Sequence, residues 1–147
     1  MLDPRAVAPT AWRNGLGSTR ELAAGTDPDD STSWRISVAT LDHDVEFSTF
    51  PGMDRTLVAL GPLRLSIDGQ VAALEAGDRV SFAGESDVSV ALAMPTSALN
   101  VMTRRGSCRS EVVLRTPDGR QLPGTTESVD LEIFVADVRI HLDQEIS

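Results

Sequence analysis

The sequence predicts an all-β fold, an antiparallel sandwich or barrel of many short strands. Three observations carry that expectation. Apolar and polar residues alternate along most of the chain, the period of a strand with one face buried. Turn signals interrupt the alternation at hairpin spacing. No stretch of useful length carries the 3.6-residue period of a helix.

Residues 1–11 read as extended, because Pro4 and Pro9 bar a helix. Trp12 to Glu21, WRNGLGSTRE, is a polar loop in which Gly15 and Gly17 free the backbone to turn. Arg20 to Ala24 reads as a short strand, and the acidic run Thr26 to Ser33 as a loop. In Trp34 to Leu41, Trp34, Ile36 and Val38 alternate with Arg35, Ser37 and Ala39. Asp42 to Asp44 then turns the chain, and Glu46 to Phe50 is expected to return as a strand. FPGMDR, Phe50 to Arg55, is a proline–glycine turn before a buried strand over Thr56 to Leu60. Leu63, Leu65 and Ile67 alternate up to Asp68-Gly69, a hairpin signal, and Val71 to Leu74 returns. Glu75 to Asp78 turns again, followed by strands carrying Val80 and Phe82, then Val88 to Met94, then Leu99 to Thr103. Val112 to Thr116, Leu131 to Val135 and Val138 to Leu142 complete the series, with PDGR, Pro117 to Arg120, as a further turn. No linker divides the chain, so residues 1–147 are expected to form one domain.

Composition narrows the partners. A hydrophobic share of 41% supports a packed core, and an aromatic share of 4% without tyrosine makes that core aliphatic. Lys+Arg 13 against Asp+Glu 22 gives a net charge of −9. That balance argues against a nucleic-acid surface and against docking on anionic lipid. Cys108 is a lone cysteine, which excludes an intrachain disulfide and a cysteine-rich zinc site. No apolar run reaches membrane-spanning length, and MLDPRAVAPTAW does not read as a signal peptide, so a cytoplasmic location is expected.

The chemistry points to a pocket without metal or other cofactor. His43 and His141 are the two histidines, and they do not lie at ligand spacing. No serine sits in a nucleophile elbow. Three polar clusters remain: Trp12 to Glu21, Asp54-Arg55, and Asn100 to Gly106. Each combines guanidinium or amide donors with a nearby turn, as a small-molecule pocket requires. Solvated or internally paired arginines are the simpler reading of each cluster alone.

WRNGLGSTRE resembles the W-[KR]-N-G-G-G-x-T-R-E signature of the HutD/Ves family. Ser33 to Leu57, with WRISVA and FSTFPGMDR, is similar to that family's W-R-[IV]-S-x-A and F-S-x-F-P-G-x-D-R stretches. ALNVMTRRG, Ala98 to Gly106, is similar to its D-L-N-x-M-x-R-R-G segment. The resemblance implies a cupin-like fold, with two small β-barrel halves in one chain and without the usual metal histidines. It also implies an association with histidine utilisation and a metal-free pocket for a small organic acid such as urocanate or formiminoglutamate. Trp12, Asn14, Arg20, Arg55, Asn100 and Arg104 are carried over as ligand-binding residues. Leu16 and Ser18 depart from the glycine run, and Leu41 to Phe47 lacks the family's glycine–proline.

A binding protein is the leading expectation, with Arg55 and Arg104 as a carboxylate clamp, Asn14 and Asn100 orienting the ligand, and Trp12 as a wall. Arg20 and Glu21 would pair internally. A metal-independent lyase, isomerase or hydrolase using Glu21 or Asp54 as base is the alternative. A module that dimerises through an apolar outer face is the third reading.

Overall fold

The computed structural model describes residues 8–12, 15–26 and 33–106 in full, and the backbone of 32, 110–115, 127–135 and 138–146. Every described element is a strand and every pairing is antiparallel.

The strands are β1 (Thr10–Ala11), β2 (Gly17–Thr26), β3 (Thr32–Leu41), β4 (Val45–Glu46), β5 (Met53–Ala59), β6 (Leu63–Ile67) and β7 (Gln70–Leu74). They continue as β8 (Arg79–Ala83), β9 (Val88–Ala91), β10 (Thr96–Arg104), β11 (Ser110–Arg115), β12 (Glu127–Val135) and β13 (Val138–Ile146). A six-stranded sheet runs β1-β2-β3-β10-β5-β8, a four-stranded sheet β4-β9-β6-β7, and a three-stranded sheet β11-β12-β13. None of the described sheets closes on itself.

The first two sheets share one aliphatic core. Leu41, Leu57, Ala59, Phe82 and Ala98 from the larger sheet pack with Leu63, Leu65, Leu74, Val88 and Val90 from the smaller. The opposite face of the larger sheet is buried as well, through Ile36, Val38, Val58, Leu99 and Val101. The β6–β7 hairpin turns at Asp68 (φ 50) and Gly69 (φ 86), the two left-handed residues of a type I′ turn.

Several boundaries differ from the sequence reading. β2 runs on to Thr26, because its pairing with β3 tolerates a bulge between Glu21 and Ala23. The return strand expected over Glu46 to Phe50 is cut short: pairing covers Val45–Glu46, the Phe47 N–H adds one more bond to the Val88 carbonyl, and residues 48–50 then leave the ladder. The turn at Phe50 ends sooner than FPGMDR suggests, since β5 already begins at Met53.

Candidate functional site

Register builds the site. Ala39, Ala98 and Ala59 lie opposite one another across β3, β10 and β5. The next rows on the same face are Ser37–Asn100–Leu57 and then Arg35–Met102–Arg55. One inner face therefore changes from aliphatic core to polar lining within a few residues of each strand. There it borders a cavity of about 570 Å3.

Trp12, Thr19 and Glu21 form one wall, and Phe47, Ser48 and Phe50 another. Trp12 is fixed from several sides. Its indole Nε1 donates to Thr19 Oγ1 at 2.7 Å, and its ring meets Phe47 edge-to-face with centroids 6.2 Å apart. Its backbone N–H donates to the Gly17 carbonyl at 2.9 Å. Gly17 is needed here, because a Cβ would lie 2.7 Å from the Thr40 carbonyl oxygen and 3.0 Å from the Trp12 ring.

Arg55 forms the floor and is only 5% exposed. Its Nη2 donates to Asn100 Oδ1 at 3.2 Å and its Nη1 to the Ser48 carbonyl at 3.3 Å. The guanidinium lies 5.4, 5.2 and 5.1 Å from the ring centres of Phe47, Phe50 and Phe82. These contacts are cation–π attractions of about 0.5–2 kcal/mol each. Its Nε is buried without a hydrogen-bond partner among the described residues. Among the described residues, no carboxylate lies within ion-pair distance of it. Burial first, and then repulsion from Arg35, lower its pKa to about 10, so the group is charged at neutral pH.

Arg35 stands across the same row, 5.8 Å from the Phe50 ring centre. Its Nε is also buried and has no hydrogen-bond partner among the described residues, with Glu21 Oε1 3.6 Å away. That separation is an ion pair but exceeds hydrogen-bond length.

The turn carrying Phe50 is fastened from outside. The Phe50 N–H donates to the Gly84 carbonyl, and the Gly84 N–H to the Met53 carbonyl, both at 2.7 Å. Arg105 then spans the surface, donating from Nε to Asp54 Oδ1 at 3.0 Å and from Nη2 to Glu85 Oε1 at 2.8 Å. Glu85 Oε2 accepts the Gly52 N–H at 3.1 Å. Hydrogen bonds from Arg105 and the Gly52 backbone hold the Glu85 carboxyl down at about 2.

Trp12, Arg55 and Asn100 thus line one cavity, but the full expected set does not gather there. Asn14 lies outside the described residues. Arg20 pairs with Val38, on the opposite face of the sheet from Thr19 and Glu21, and its Nη1 donates to Thr40 Oγ1 at 3.3 Å. The expected Arg20–Glu21 pair gives way to Arg35–Glu21 for the same reason: neighbours along a strand point to opposite faces. Arg104 shares the inner face with Asn100 and Met102 but stands one row further out, opposite Met53, and does not line the cavity. Asp54, next to Arg55, points away and holds Arg105. Arg35 is the principal residue that the motif reading passed over. WRIS contains it, yet strand alternation alone assigned it to solvent.

The HutD family model matches residues 5–147. The chain belongs to the HutD family. Protein Ves of Citrobacter koseri is 34% identical over 115 residues, 75% of this chain and 60% of that protein. This chain therefore spans about 60% of the length of that curated relative. HutD from Pseudomonas fluorescens SBW25 superposes with a TM-score of 0.72 at 23% identity, over 78% of this chain and 65% of that one. An RmlC-like cupin from Shewanella frigidimarina superposes with a TM-score of 0.56 at 11% identity, over 70% of this chain and 88% of that one. These likenesses establish a cupin-like β fold for this HutD family member.

Proposed function

We propose that this protein binds a small organic acid, with the ligand carboxylate seated on Arg55 and Asn100 and flanked by Trp12 and Phe47. The observation that carries this reading is Arg55 itself: a buried guanidinium with no carboxylate beside it among the described residues, bordering a cavity. Burying a charge without a counter-ion is costly, and a carboxylate from solution would supply one. The cavity volume, about 570 Å3, suits a ligand of that class.

The reading extends to a cytoplasmic regulator of histidine utilisation, with urocanate or formiminoglutamate as ligand. In architecture, it takes the six- and four-stranded sheets as one barrel half and the three-stranded sheet as part of a second, the bicupin arrangement. Support comes from the cupin that is 88% covered by 70% of this chain. A homodimer is part of the same proposal.

Titration calorimetry with urocanate and formiminoglutamate tests the binding reading. Wild type is expected to bind at least one of them, and Arg55→Met to bind neither. Equal heats from both proteins would overturn it. The enzymatic alternative rests on Glu21, a carboxylate in the cavity wall. Turnover of either acid, lost in Glu21→Gln, would favour that alternative.

A further inference from the structure

We infer that the preferred ligand is a dicarboxylate, one carboxylate seated on Arg55 and the other on Arg35. This deepens the proposed carboxylate-binding reading and rests on it. Arg35, Met102 and Arg55 form one row across three adjacent strands. Strands lie about 4.8 Å apart, so the two arginine backbones are roughly 10 Å apart on one face. Both side chains lean over the same Phe50 ring, at 5.8 and 5.2 Å from its centre.

Each guanidinium has a buried Nε–H without an acceptor among the described residues. A buried donor left unmade is a standing cost, and two neighbouring cations add mutual repulsion. One carboxylate on Arg55 would leave the Arg35 Nε–H unsatisfied. Glu21 does not satisfy it at 3.6 Å, and its side chain is 56% exposed. A second carboxylate on the ligand gives each guanidinium an anion of its own and separates the two positive charges with negative ones. Ser37 and Asn100, in the preceding row, leave polar atoms to meet the middle of the chain. Glu21 then acts as a weak internal competitor for Arg35, displaced when the ligand enters.

The test uses calorimetry on the full chain with succinate, glutarate and adipate, each against its monomethyl ester. Wild type is expected to bind its best diacid at least about tenfold more tightly than the matching monoester. Arg35→Gln should erase that ratio while leaving monoester affinity within about twofold. Glu21→Gln should tighten diacid binding, whereas a merely structural Glu21 would give no gain. Equal affinities for diacid and monoester in wild type would overturn the inference. So would a ratio that survives Arg35→Gln, or equal loss of both ligands in that variant, the sign of one carboxylate shared by both arginines. If monoesters bind wild type and fail on Arg55→Met without any diacid preference, the carboxylate-binding reading stands and this one falls. If neither these acids nor urocanate and formiminoglutamate bind wild type, both fall. Should Arg35→Gln not fold, the wild-type ratio and Glu21→Gln decide.

Discussion

Replacing Arg55 with methionine should cost the protein its ligand and cost its fold little or nothing. Arg55 is charged, 5% exposed and without a carboxylate counter-ion among the described residues. Burial and the neighbouring Arg35 lower its pKa from the ordinary guanidinium range to about 10. At about 1.4 kcal/mol for each pH unit, the site disfavours the charged form by about 3 kcal/mol. Methionine has similar reach, carries no charge and packs well against aromatic rings such as Phe47, Phe50 and Phe82. The change removes the hydrogen bonds to Asn100 Oδ1 and the Ser48 carbonyl. Both acceptor residues border the open cavity, where water takes over as donor. The cation–π attractions to the three rings are lost too and are largely, not wholly, replaced by methionine–aromatic contacts. The expected change in stability therefore runs from about 1 kcal/mol less stable to about 3 kcal/mol more stable, with a rise in Tm of up to roughly 10 °C. Calorimetric melting of both proteins, with and without the tightest-binding acid, measures it. The acid should raise the wild-type Tm and leave that of Arg55→Met unmoved. A variant that melts more than roughly 6 °C below wild type would show that the guanidinium holds the fold together, refuting the reasoning.

Gly84→Ala should destabilise by about 1–3 kcal/mol, because its Cβ would run into the Phe50 carbonyl oxygen and come within 2.8 Å of that of Met53. Both obstacles are backbone, so the Phe50 turn must shift; urea unfolding measures the loss, and an unchanged midpoint would count against the packing described. Glu85 titrates at about 2 rather than 4.5. Its lowered pKa adds stability that is present above pH 4.5 and lost as the pH falls toward 2. Glu85→Gln should consequently flatten the acid limb of the stability curve between those values, read by thermal melts across that range. An unaltered slope would mean that the exposed Arg105 network contributes nothing measurable.

Much of the fold was legible locally. Asp68-Gly69 announced its hairpin because a type I′ turn needs two left-handed residues, and the aspartate–glycine pair supplies them cheaply. Trp34 to Leu41 announced β3 by alternation. Residues 47–50 misled, because an apolar–polar rhythm looks the same whether the residues pair in a sheet or line a cavity. The lining of the cavity was half legible. Trp12, Arg55 and Asn100 were found through the three motifs, and they meet although up to 88 positions separate them, Trp12 from Asn100. Arg35 was missed, and Arg20 and Arg104 were credited with a shared site that their positions do not give them.

By itself the sequence determined the strand rhythm, the turns, the aliphatic core and the family. Those follow from local chemistry: which residues alternate, and which tolerate a left-handed backbone. Only the tertiary structure decided which arginines face the cavity. A strand turns successive side chains to opposite sides, so the choice depends on how β3, β10 and β5 line up across long sequence distances. That alignment sets Arg35 and Arg55 on one row, turns Asp54 outward to Arg105, and leaves Arg55 buried and positively charged at the floor of the cavity.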